Sequence, residues 1–264
     1  MKFLKIFATA LFVGFLIAPA AQAQKVYSVT SGEMIFGLSD VSFSDQFLST
    51  YPGASVSTNM RWTVFFHLGQ YWHLDFTNNL GLISGIGIRN VGLITDETLP
   101  ESAVPAGQVY TGNYIDYKII RRSYMAGIPL LVKLGSFKDH IYFYGGAEYE
   151  LAFHYKEKYW TGTHSRDGAK TKTTDWFGSQ VPTFIPSVKG GVQLPGGFHV
   201  EFKYYLNDFL DNSYKVSQNG NQFNVSDLTR YKTSQVYYIS ISWQFNSEYI
   251  TKKDWQSEST VANL

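Results

Sequence analysis

From Trp62 to Phe76 the chain is apolar at every second position, with a single break. Trp62, Val64, Phe66, Leu68, Trp72, Leu74 and Phe76 share one face, interrupted by Gln70. Arg61, Thr63, His67, Gly69, His73 and Asp75 share the other, with Phe65 and Tyr71 as aromatic exceptions. A period of two belongs to strands; a helix would repeat at 3.6. The pattern returns at Ile141, Phe143, Ala147, Tyr149, Leu151 and Phe153, set against Tyr142, Tyr144, Glu148, Glu150 and His154. It returns again at Phe198, Val200, Phe202 and Tyr204, and at Tyr237, Ile239, Ile241, Trp243 and Phe245. Alternation over this much chain requires strands held between one apolar and one polar environment.

Eight such strands are expected, at 32–41, 60–76, 80–95, 117–134, 141–155, 183–194, 198–206 and 232–245. Their connections alternate in length. Three are short, with turn residues: Thr77-Asn78-Asn79, Gly135 to His140 and Pro195-Gly196-Gly197. Asn and Gly there suit the positive φ of tight hairpin turns. Four are long: 42–59, 96–116, 156–182 and 207–231. Tight turns at one end and long loops at the other are the asymmetry of outer-membrane barrels. The expected fold is therefore all-β, an eight-stranded antiparallel up-and-down transmembrane β-barrel, with both mature ends on the short-turn side.

The competing arrangement is a soluble β-sandwich or lipocalin-like barrel, which puts its apolar face inward. Two features weigh against it. Aromatics cluster towards the ends of the apolar faces: Trp62, Tyr124, Phe153, Tyr204 and Tyr237 on the long-loop side, and Trp72, Phe76, Phe143, Phe198, Trp243 and Phe245 on the other. Val64, Phe66, Ala147, Val200, Ile239 and Ile241 lie between, giving two girdles around an apolar band. The opposite faces carry Arg61, Arg89, Arg121, Lys133, Lys189 and Lys203 mixed with Asp75, Glu148, Glu150 and Glu201. Mutually paired charges of that kind suit a narrow lumen.

The N-terminus reads as a secretory signal over residues 1–23. Lys2 and Lys5 precede an apolar run from Ile6 to about Ala18, and Ala21-Gln22-Ala23 is a small-x-small cleavage site. Loss of those two lysines leaves 20 Lys+Arg against 21 Asp+Glu, about −1, for the chain from Gln24. The expected organisation is a signal peptide at 1–23, the barrel at 24–245 and a mostly polar periplasmic tail at 246–264 following Phe245. A formal charge of +1 over 264 residues is no basic stripe, so no nucleic-acid partner is expected. The absence of cysteine excludes disulfides, thiolate metal sites and thiol nucleophiles.

The segment Arg122-Ser123-Tyr124-Met125-Ala126-Gly127-Ile128-Pro129-Leu130-Leu131-Val132-Lys133 resembles a strand of the PorT-like outer-membrane β-barrel family. That strand reads roughly Tyr-x-x-Ile-Pro-Leu-Leu-x-Lys; this chain has one more residue between Tyr124 and Ile128. Tyr142 to Glu150 is similar to the Tyr/Gly-rich strand that follows in the family. The resemblance implies an eight-stranded barrel in a Gram-negative outer membrane, carries no defined activity, and connects one member to protein secretion. Pro129 falls on the inward parity of Arg121, Met125 and Lys133. Since proline cannot donate to a ladder, either a bulge or a locally unpaired position is expected there.

The chain has no phosphate loop, no G-x-S-x-G elbow and no H-E-x-x-H. Gly85-Ile86-Gly87 lacks a third glycine and lies mid-strand, making room for large lumen side chains. His67 and His73 are six residues apart, ~20 Å along a strand, too far to share a metal. By parity Arg121, Ser123, Glu148, Glu150 and His154 all point inward. That set is read as a structural ion-pair and hydrogen-bond network, with a Ser/His/acid lipid-modifying enzyme as the rival. In the 156–182 loop, Tyr159, Trp160, Lys170, Lys172 and Trp176 are candidate contacts for sugar, lipopolysaccharide phosphate or protein; the 207–231 loop reads as exposed. No catalytic, cofactor or metal residues are expected. The expected role is non-enzymatic: a monomer surrounded by outer-membrane lipid, serving envelope structure, surface interaction or support of protein secretion. The partner would be a surface ligand or an envelope or secretion protein, and a narrow channel is the remaining alternative.

Overall fold

The computed structural model describes residues 25–63, 67–105, 107–216 and 223–246. The expected signal segment, Val64, Phe65 and Phe66, and the tail beyond Asn246 lie outside the described residues.

Among the described residues, eleven strands and one short helix follow in order: β1 (Lys25–Phe43), α1 (Asp45–Thr50), β2 (Ser55–Asn59), β3 (Arg61–Thr63), β4 (Leu68–Asp75), β5 (Leu80–Pro100), β6 (Tyr114–Ser136), β7 (Ile141–Thr161), β8 (Ala169–Trp176), β9 (Phe184–Leu194), β10 (Phe198–Tyr205) and β11 (Tyr231–Asn246). β3 and β4 pair with the same neighbour, β1, and make one interrupted staff of the barrel. The ring runs β1, β3/β4, β5, β6, β7, β9, β10, β11 and closes where β11 pairs antiparallel with β1. Eight antiparallel staves in chain order form an up-and-down barrel. Closure leaves no edge strand in the ring, which removes the usual template for aggregation.

Turn chemistry fixes the short-loop end. The Thr77 hydroxyl accepts from the backbone N–H groups of Asn79 and Leu80 at 3.1 and 2.9 Å, holding the β4–β5 turn. Gly196 and Gly197 sit at φ 84° and 77° in the β9–β10 turn, a conformation costly for any residue with a Cβ.

The strands are longer than the alternation implied. β1 starts at Lys25 rather than residue 32. Gly32 and the outward Ser28 and Thr30 dilute its apolar face, so the pattern begins late. Both ends of the 96–116 connection are strand, since β5 runs to Pro100 and β6 starts at Tyr114. The 156–182 connection is a hairpin, β7 to Thr161 paired with β8. The 42–59 connection holds α1, capped by Ser44, and β2, which pairs with the far end of β5.

These extensions have the opposite polarity to the staves below them. Near the short turns the outer face is apolar and exposed: Ile86, Ile88, Ile128, Leu130, Val132, Phe143, Phe202 and Trp243. There the interior holds Asp75, Arg89, Lys133, Glu148, Glu150, Lys189 and Lys203, all buried. Beyond Asn90 on β5 and Tyr124 on β6 the inward face turns largely apolar, around the buried Thr95, Glu97 and Arg121. Val91, Leu93, Leu99, Tyr117 and Ile119 point inward into one apolar cluster with Phe43, Tyr51 and Tyr110. The described part of the 207–231 connection enters this cluster through Phe209, Leu210, Val225 and Leu228 and packs inside the long-loop end of the barrel. It is therefore not the exposed loop its Asn, Ser and Gln content implied, because its few apolar residues decide where it packs.

Pro129 does not sit at a bulge. Register slips occur between Ser42 and Phe43 and between Tyr124 and Met125. Pro129 instead keeps its register with Glu148 on β7, while the β5 ladder skips residues 128 and 129 opposite Gly85 and Ile86. The Ser84 hydroxyl donates to the Pro129 carbonyl at 2.9 Å across that gap. The missing proline N–H is thus placed where the ladder needs no donor.

Candidate functional site

Three layers of charge occupy the interior. In the middle layer Arg89, from β5, is the hub. Its guanidinium reaches Glu33 at 2.8 Å, Glu148 at 2.5 Å, Glu150 at 3.4 Å and the Tyr71 hydroxyl at 2.8 Å. Lys203 bridges Glu148 at 3.0 Å and Glu150 at 2.7 Å. Lys189 bridges Glu148 at 3.2 Å and Glu201 at 3.3 Å, and the Tyr144 hydroxyl donates to Glu201 at 3.1 Å. Three cations thus face four carboxylates contributed by β1, β5, β7, β9 and β10. Glycines make room for this: a Cβ on Gly127 would meet the Glu148 carboxylate at 2.5 Å and Glu150 Cγ at 2.7 Å. The cavity among these side chains measures about 20 Å³, room for about one water.

Towards the short turns Lys133 pairs with Asp75 at 2.5 Å and reaches the Tyr27 hydroxyl at 3.0 Å. Near the long-loop end Glu97 is clamped by Arg121 at 3.2 Å and Arg230 at 3.0 Å, and the Tyr231 hydroxyl donates to it at 2.5 Å. Arg121 also pairs with Glu157 at 2.7 Å, and Glu157 accepts from the Ser226 hydroxyl at 2.5 Å. Burial alone would raise the Glu97 carboxyl, but Arg230 and Arg121 outweigh it and hold Glu97 near pH 2. Burial pushes the Tyr231 phenol above its ordinary value.

The five expected network residues do not form one cluster. Glu148 and Glu150 join the Arg89 layer. Arg121 belongs to the separate layer around Glu97. Ser123 is buried and donates to the Tyr124 carbonyl at 3.2 Å. His154 does not face the lumen. An extra residue in β7 opposite the Tyr124–Met125 step reverses the parity beyond Ala152. His154 consequently lies outside, its ring 5.6 Å from Tyr124 and 4.6 Å from Trp176. Ser123 and His154 therefore stand on opposite faces of the sheet, and the residues set together as a Ser/His/acid arrangement are not brought together.

The expected loop contacts divide in the same way. Tyr159 faces inward and packs edge-on against Tyr117 at 6.0 Å, lining a cavity of about 390 Å³ with Phe223 and Val225. Trp160 is buried. Lys170, Lys172 and Trp176 are exposed along β8. Glu33, Glu97, Glu157, Arg230 and Tyr231 were not singled out from sequence. Glu33 lies in the strand with the weakest alternation, and the others fall in segments read as loops. The inward period Tyr155, Glu157, Tyr159 is legible only once the bulge is known. Among the described residues, no group of three or more His, Asp or Glu is placed to hold a metal ion.

No protein-family profile matches the chain, and no characterised protein matches it in sequence. Solved structures do resemble it distantly. Ail, the attachment invasion locus protein of Yersinia pestis, aligns over 83% of this chain and 99% of its own at 12% identity, TM-score 0.32. The outer membrane protein OprG of Pseudomonas aeruginosa aligns over 84% and 96% at 11% identity, TM-score 0.32. The N-terminal β-barrel domain of Pseudomonas aeruginosa OprF aligns over 83% and 98% at 8% identity, TM-score 0.24. Likeness at this distance carries no role across.

Proposed function

We propose that the chain is a non-enzymatic, monomeric outer-membrane β-barrel whose lumen is sealed and whose function is carried on its outer end and outer wall. One observation carries this reading: the exchange of polarity along single strands. β5 and β6 each turn an apolar face outward below Asn90 and Tyr124 and inward above them. A soluble barrel has no reason to expose Ile128, Leu130, Val132 and Leu134 on one stretch of strand while burying Tyr117 and Ile119 on the next. Lipid tails around the lower half and water around the upper half require that exchange. The boundary coincides with the aromatic row Tyr124, Phe153, His154 and Trp176. A signal peptide at 1–23 supplies the route across the inner membrane.

The sealed interior favours a structural or recognition role over a narrow channel. Arg89, Lys203 and their carboxylates span the lumen, and Phe209, Leu210, Val225 and Leu228 pack inside its long-loop end. The separation of Ser123 from His154 removes the arrangement that favoured lipid modification. The resemblance of residues 122–133 to PorT-like strands supports a place in envelope structure or secretion, with the upper half as the partner-binding part. Flotation with lipid vesicles, combined with heat-dependent migration of the unboiled protein on a denaturing gel, tests the reading. Recovery from the periplasm as a detergent-free, heat-insensitive species overturns it.

A further inference from the structure

Beyond the bulge, the outward face of β6, β7 and β8 is a cationic ladder. The row nearest the apolar belt is aromatic, Tyr124, His154 and Trp176. One step further Arg122 stands directly opposite Lys156. One step beyond that Lys158 stands directly opposite Lys172, and Lys170 follows on β8. Like charges directly opposed across a strand pair destabilise a sheet, and this face does it twice.

No carboxylate relieves the strain. Among the described residues, Arg122, Lys156, Lys158, Lys170 and Lys172 make no ion pair. The neighbouring acids are engaged elsewhere: Glu157 points inward to Arg121, Asp96 holds Lys118 at 2.7 Å, Asp116 faces His164 at 3.4 Å, and Asp175, opposite the inward Tyr155, accepts from the Gln180 side chain at 3.2 Å. Burial and the surrounding cations lower the Lys156 and Lys158 ammonium groups from their ordinary values. The Arg122 guanidinium lies 5.7 Å from the Tyr124 ring centre, folded back towards the aromatic row. Each step along a strand face is two residues, so the Arg122–Lys156 row sits roughly 7 Å beyond the aromatics. If those rings mark the edge of the hydrocarbon, this is the depth of the lipid headgroups.

We propose that this ladder is a docking site for the phosphate groups of a phosphorylated glycolipid in the surrounding leaflet. Arg122, Lys156, Lys158, Lys170 and Lys172 are the phosphate ligands, and Trp176 seats the lipid at the boundary. Arg122 supplies a planar fork suited to phosphate oxygens, and the lysines supply point charges. A phosphate placed between opposed cations converts the repulsion into charge-assisted hydrogen bonds. The site rests on the membrane reading above, and it commits to a lipid rather than a soluble anion because the cations adjoin the apolar belt.

The test uses the full chain in uncharged detergent, titrated with lipopolysaccharide, with the same material after enzymatic removal of its phosphates, and with inorganic phosphate. The wild type is compared with a variant carrying Arg122→Gln, Lys156→Gln, Lys158→Gln and Lys172→Gln, and with a control carrying Lys138→Gln in the β6–β7 turn. Expected are at least tenfold tighter binding of the phosphorylated form by wild type and control, and loss of that preference in the fourfold variant. The variant should also melt higher than wild type without lipid, because the opposed charges are gone, and gain less from the phosphorylated lipid. Equal binding of both forms by wild type, or an unchanged preference in the variant, overturns the inference. So does binding of inorganic phosphate without any preference for the lipid. Vesicle flotation of all three proteins separates the two levels. If they float and show no phosphate preference, only this inference falls; if none floats, the membrane reading falls and the site with it.

Discussion

Replacing Arg89 by Met removes the hub of the middle lumen layer. Arg89 is 2% exposed and holds Glu33, Glu148 and Glu150. With its carboxylates ionised the layer then has two cations, Lys189 and Lys203, against four carboxylates, doubling its negative excess from one to two charges. Removing one partner of a buried ion pair costs about 3–5 kcal/mol, because the orphaned charge stays desolvated. Arg89→Met should therefore lower the unfolding free energy by about that amount. Glu33 is the informative second site, since the only ion pair it makes among the described residues is with Arg89. Arg89→Met with Glu33→Gln leaves two cations against three carboxylates, the excess of the wild type. The double variant should recover about 1–2 kcal/mol relative to the sum of the single losses. Equilibrium urea unfolding in lipid vesicles, followed by tryptophan fluorescence, measures all four corners of the cycle. A loss below about 1 kcal/mol for Arg89→Met, or simple additivity in the double variant, would refute the view that this layer is a mutually compensating network.

The Glu97 layer gives an acid signature. The folded carboxyl titrates near pH 2, below its ordinary 4.5, so its contribution is fully present above about pH 4.5 and is lost as pH falls towards 2. The gap corresponds to about 3 kcal/mol, so thermal midpoints between pH 5 and pH 2 should fall more steeply for wild type than for Glu97→Gln; equal slopes would contradict the clamp. Gly92→Ala should destabilise by about 1–3 kcal/mol, because its Cβ would press on the Arg121 backbone carbonyl, whereas Gly32→Ala meets nothing within 4 Å and should be far milder. Comparable losses for the two would remove packing as the reason. Planar bilayers holding the purified protein should pass no steady current, since the middle layer leaves about 20 Å³; a reproducible open level would restore the channel reading.

Much of the lower barrel was legible because lipid-facing strands write their environment at every second residue. The inward parity of Arg61, Arg89, Lys133, Lys189, Lys203, Asp75, Glu148, Glu150 and Glu201 agrees with their burial in the structure. The upper half was not legible. There Val91, Leu93 and Ile119 place apolar side chains on the same inward parity that Arg89 and Lys133 hold below, so parity alone does not say which environment the interior is. A single extra residue in β7 turned His154 from an apparent lumen group into an outer-wall one, since one residue moves every later side chain to the other face. Alternation cannot reveal such a slip without the partner strand. Arg230 and Glu97 meet across 133 residues of chain, and nothing local to either announces the pair.

The central claim is that lipid surrounds the lower outer face of this barrel. Spin labels placed singly from 126 to 134 on β6, in vesicle-reconstituted protein, test it most directly. High collision rates with oxygen at 126, 128, 130, 132 and 134, and low rates with a water-soluble nickel reagent at the same positions, are the predicted result. Nickel collisions dominating at those even positions would place water against Ile128, Leu130 and Val132 and contradict the account.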